Sequence, residues 1–133
     1  MNEVAKISMP VSAPVLANPV FFMHIAKTAG SYVNVVLKNA VGAEQVATHI
    51  ETRIGSSADL LQSYEAGTRV FSGHVMQGLW RDISGPTDLQ FHTFTLLRDP
   101  VEHLASHLLW LDHYNRAEKR KEYRQLDEVH RRI

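Results

Sequence analysis

The chain has 133 residues, 44% hydrophobic and 21% charged, the balance of a single globular domain with an ordinary core. Its formal net charge is zero, which gives no overall field favouring nucleic acid. It contains no cysteine, which excludes disulfides, thiolate catalysis and cysteine-bound zinc.

The opening up to Pro19 is rich in proline and small residues and reads as a loose leader over residues 1–18, with the domain expected over 19–133. It lacks a basic start running into a long apolar stretch, and no run in the chain reaches the ~18 residues of a membrane span. The expectation is a cytoplasmic protein without a signal peptide. Val20, Phe21, Phe22 and Met23 form a continuous apolar run, the pattern of a strand covered on both faces in a parallel sheet. After Gly30 the period changes. Tyr32, Val33, Val36, Leu37 and Ala40 fall on one helical face, and Gly42 is the expected stop.

Residues 46–50 are expected to form a second strand, and 58–66 a helix started near Ser56 or Ser57 and ended at Gly67. Residues 69–75 look like a strand entering a loop, and the segment up to Asp88 reads as irregular. Residues 89–97 alternate and are rich in β-formers, so they predict a strand. Asp99 is a good N-cap for a helix opening at Pro100, with Glu102 placed to complete a capping box. Val101, Leu104, Ala105, Leu108 and Leu109 supply its expected apolar face. Residues 116–132 predict a second, charged helix; from 116 to the last residue there are seven Lys or Arg against four Asp or Glu. Strands alternating with helices predict an α/β fold with three layers around a small, mainly parallel sheet. Ligands of such sheets sit at the carboxyl ends of the strands.

Residues 24–31 lie between the first strand and a helix N-terminus, where free backbone N–H groups and the helix dipole favour an anion. Lys27 adds a charge, Thr28 and Ser31 add hydroxyls, and Ala29 and Gly30 admit close approach. The lysine precedes the glycine, unlike the order in nucleotide P-loops, so a kinase or GTPase reading is disfavoured. Local chemistry alone leaves open a plain turn with a surface lysine. His103 and His107 stand four apart on a helix as half of a zinc site, but no third ligand is evident and no metal is expected. Trp80, Trp110 and Tyr114 are expected to be core residues, with stacking on a ligand as the alternative.

Residues 22–31 (Phe-Met-His-Ile-Ala-Lys-Thr-Ala-Gly-Ser) resemble the 5'-phosphosulfate motif of Golgi-type carbohydrate sulfotransferases and their bacterial relatives, with Ala26 in place of the usual proline. Ser72-Gly73-His74 is similar to that family's central segment. Arg98-Asp99-Pro100 followed by Ser106 is similar to its 3'-phosphate motif, with His103 near a position where arginine is common. The resemblance implies a P-loop-like fold that transfers a sulfuryl group from 3'-phosphoadenosine-5'-phosphosulfate (PAPS) to a hydroxyl of a small molecule or glycan. The desulfated product would be adenosine 3',5'-bisphosphate (PAP), and no metal would be required. It implies Lys27 at the bridging oxygen and residues 28–31 (Thr28, Ala29, Gly30, Ser31) on the 5'-phosphate. Arg98 and Ser106 would hold the 3'-phosphate, and His74 would act as general base. His24 is expected to have a structural hydrogen-bonding role. The chain is shorter than the family's catalytic domains, so a fragment, a compact relative or a degenerate copy is expected, with a homodimer as one way to cover the remaining surface. Two other readings follow: a non-catalytic module that binds PAPS or PAP, and another P-loop phosphotransferase.

Overall fold

Among the described residues four segments become strands: β1 (Val20–Met23), β2 (Val46–Thr48), β3 (Val70–Gly73) and β4 (His92–Thr95). The computed structural model describes residues 16–115. The expected leader up to residue 15 and the expected helix over 116–132 lie outside them. The strands form one sheet in the order β2-β3-β1-β4, with every pair parallel. Among the described residues four α-helices join and extend them: α1 (Gly30–Val41), α2 (Ser57–Glu65), α3 (Gln77–Ser84) and α4 (Pro100–Asn115). The expected α/β fold with a parallel sheet is what forms.

Alternation along the central strands builds two cores. Phe21 and Phe71 face one way and pack with Leu60 of α2 and Trp80 and Ile83 of α3. Val20, Val46 and Val70 face the other way and pack with Leu37 and Val41 of α1. Both faces of the sheet are therefore covered, which is why its central strands read as unbroken apolar runs. Trp80 is a core residue, stacked 3.9 Å from Phe21. The chain leaves β1 toward β2 on one side and leaves β3 toward β4 on the other. These diverging connections open a crevice at the carboxyl ends of β1 and β3.

Local capping sets several boundaries. Ser56 accepts a hydrogen bond from the Asp59 amide (3.2 Å), and Asp59 accepts one in return from the Gly55 amide (3.1 Å). Asp99 caps α4 by accepting from the amides of Val101 (3.0 Å) and Glu102 (3.1 Å). Glu102 turns instead to Arg98, 3.4 Å away. Gly42 ends α1 with φ 95°, a left-handed backbone that suits glycine.

Four expectations need correction. Helix α1 does not bury the stripe through Tyr32 and Val36, which are 71% and 46% exposed; it buries Gly30, Asn34 and Val41. The polar Asn34 is accommodated because Ser72 of β3 donates a 2.6 Å hydrogen bond to its Oδ1. The segment before Asp88 is not wholly irregular, since α3 occupies Gln77–Ser84. Its glycine and missing side-chain cap hide it, and docking of Trp80 and Ile83 on the core holds it. The second and fourth strands are shorter than expected, because the backbone turns at His49 and pairing of β4 covers only His92–Thr95. The apolar side expected to bury α4 faces outward, with Val101 76% and Leu109 72% exposed.

Candidate functional site

Each of the three adjacent strands β2, β3 and β1 is followed immediately by a histidine: His49, His74 and His24. Parallel register places Met23 beside Gly73, so His24 and His74 follow at one level, and Thr48 beside Ser72, so His49 follows one residue earlier at the same end of the sheet. The His24 and His74 rings stack with centroids 4.2 Å apart, and His49 lies 6.4 Å from His74. Glu51, in the turn after β2, joins them. Its Oε2 accepts the His74 backbone N–H (3.0 Å), and its Oε1 stands 3.5 Å from His49 Nδ1. A side chain on Gly73 would collide with that same Oε2 and with the Ile50 side chain. The glycine of the Ser72-Gly73-His74 segment thus makes room for the carboxylate that fixes the histidine after it.

The loop after β1 wraps the other side. Lys27 and Ala29 both take left-handed backbone, each at φ 65°. Two such residues so close together are strained for side chains with a Cβ, and strain of this kind gathers at functional sites. Thr28 is buried, and its hydroxyl donates to the Ile25 carbonyl (2.7 Å), so it braces the loop. Ala29 precedes α1 without a side-chain cap, and the first turn of the helix carries no acidic residue. The first amides of α1 and its positive dipole end therefore have no built-in anion. A Cβ on Gly30 would strike the His24 ring, so this glycine seats the imidazole against the helix start.

His24, Lys27, Gly30, Ser31 and His74 line one cavity of about 460 Å³, together with Trp110 of α4. The Lys27 ammonium sits 5.9 Å from the Trp110 ring, within cation–π range. Ala29 lines this cavity and an adjacent one of about 310 Å³, which holds Thr28, Leu97 and Arg98. Six of the expected residues, Lys27, Thr28, Ala29, Gly30, Ser31 and His74, are thus gathered at the strand ends, with Arg98 behind the loop. Ser106 is half-buried on α4 and lines neither cavity. His103 donates from Nε2 to the Ala26 carbonyl (2.7 Å) and so ties α4 to the Lys27 loop. The side chain of Tyr114 lies outside the described residues.

Electrostatics separate the histidines. Burial, then the nearby His74 and His49, hold the His24 imidazole below its ordinary pKa, with Glu51 acting in the opposite sense. The neutral form of His24 is thereby favoured. His74 is exposed and stands at the mouth of the cavity. The site thus combines an anion cradle, a lysine and an accessible imidazole, parts suited to transferring a group from an anionic donor. Sequence reasoning missed His49 and Glu51. The signal was a third histidine at the end of a third strand, with a carboxylate two residues on.

No match to this chain is found among protein-family models, curated proteins or solved structures.

Proposed function

We propose that this chain binds PAPS and transfers its sulfuryl group to a hydroxyl acceptor, most simply on a carbohydrate. One observation carries the reading: a lysine loop between a buried strand and an uncapped helix shares its cavity with His74 from the next strand. The lysine-before-glycine order and the motif at Arg98 favour a phosphosulfate donor over a nucleoside triphosphate.

In this reading the first amides of α1 and the loop hold the 5'-phosphate. Lys27 meets the bridging oxygen, where negative charge grows as the S–O bond breaks. The acceptor oxygen forms the new bond to sulfur, and its proton passes to His74. Lys27 supplies the cradle's fixed positive charge. Arg98 offers a guanidinium fork to the 3'-phosphate from the adjoining cavity. Opening the fork requires it to leave Glu102, an exposed pair of small worth. Ser106 is the other 3'-phosphate ligand that the resemblance implies, half-buried on α4 outside both cavities.

The test is calorimetry with PAP, followed by transfer of labelled sulfate from PAPS to a panel of sugars and phenols. Saturable, metal-independent PAP binding is expected. Lys27→Ala should lower transfer by about 100- to 1000-fold, and His74→Ala by at least about 100-fold. No heat of PAP binding in folded protein rejects the donor site. Binding without transfer to any acceptor leaves a binding module. Magnesium-dependent ATP or GTP binding that outcompetes PAP moves the assignment to a phosphotransferase.

A further inference from the structure

The three groups at the ends of β2 and β3 also have the composition of a metal site. We propose that His49, Glu51 and His74 form a binding site for a divalent cation of the zinc class. One ligand atom from each lies within 4.8 Å of the others. Two imidazoles and a carboxylate are a set used by zinc sites that keep a coordination position open. Bonds of about 2.05 Å in a tetrahedral site put neighbouring ligand atoms ~3.3 Å apart. His49 Nδ1 and Glu51 Oε1 are already 3.5 Å apart. All three side chains are exposed, so a cation can reach them from solvent.

The supports beneath these ligands point the same way. Glu51 is oriented by its other oxygen, which accepts the His74 amide over the side-chain-free Gly73. Outer contacts of this kind fix ligand direction in metal sites. His49 sits in left-handed backbone at φ 54°, uncommon for a residue other than glycine, and that turn places its ring beside Glu51. His24, stacked on His74, walls the site on the α1 side.

The cation site does not depend on the donor reading, since His49 and Glu51 have no part in it. If both hold, His74 serves one purpose at a time. A bound cation takes the imidazole lone pair that would accept the acceptor proton, so zinc would inhibit transfer.

The experiment titrates the whole chain with Zn²⁺ against a chromogenic chelator and follows Co²⁺ by visible absorption. One equivalent should bind, and Co²⁺ should show the intense bands of a four- or five-coordinate ion. Glu51→Gln and His49→Asn should each weaken Zn²⁺ by roughly 100-fold, the upper end of the loss seen when only a ligand's support is removed. Asn tolerates the left-handed backbone, so His49→Asn keeps the turn. His92→Ala, on β4 away from the cluster, should leave affinity unchanged. Circular dichroism verifies that each variant is folded, and either of the two ligand variants suffices. The proposal is overturned if wild type binds no tighter than these variants, or if His92→Ala weakens binding as much as they do.

Discussion

Asn34→Ala tests how the two halves of the site are joined. Asn34 lies one helical turn into α1, after the Lys27 loop, and Ser72 lies on β3 just before Gly73 and His74. Their 2.6 Å hydrogen bond is buried, and the Ser72 side chain is fully enclosed. Removing the amide leaves a hydroxyl without that partner and without water, which costs about 1–3 kcal/mol. A loss near 2 kcal/mol in a chain of this size lowers Tm by roughly 6–10 °C. Urea denaturation of Asn34→Ala, Ser72→Ala and the double variant reads the pair directly. The double variant should be more stable than the sum of the single losses by about 1 kcal/mol, because both polar partners leave together. Strict additivity, or a loss under about 0.5 kcal/mol for Asn34→Ala, would refute the claim that this bond clamps α1 to β3.

Gly30→Ala should drive the His24 ring out of its seat, and NMR titration should then show His24 returning toward the ordinary imidazole pKa; an unmoved titration contradicts the packing. Because the pKa of His24 is lowered on folding, the unfolded chain takes up its proton first as pH falls. Its contribution to stability is complete above the ordinary value of about 6.5 and is lost as pH drops toward the folded value. His24→Gln should flatten the fall in urea midpoint between pH 7.5 and pH 5 by that amount, and an unchanged slope counts against the assignment. Ser56→Ala removes the cap of α2 and should cost about 1 kcal/mol in the same assay without changing PAP affinity, which a loss of binding would contradict.

The parallel sheet was readable because its central strands are covered on both faces, so Val20 to Met23 and Val70 to Phe71 appear as apolar runs. The loop after β1 was readable because its chemistry is local: a lysine, two hydroxyls and a glycine before a helix. Helix α3 was not, since it depends on Trp80 and Ile83 meeting Phe21 and Phe71 from distant parts of the chain. The orientation of α1 was misread for a related reason. Periodicity counted Tyr32 and Val36 as core and Asn34 as surface, and only Ser72, 38 positions away, makes Asn34 a buried residue. His49 and Glu51 escaped notice because their closeness to His74 follows from strand order, which no short motif encodes.

The most direct test of the donor site is an amide NMR map of the whole chain titrated with PAP in the absence of metal. Thr28, Ala29, Gly30 and Ser31 are expected to shift together and saturate, with the Arg98 side-chain Nε–H following at the same midpoint, and Lys27→Ala should abolish the response. Saturable shifts confined to the cavity between β2 and α2, around Arg53 and Gln62, or no shifts in folded protein, would contradict it.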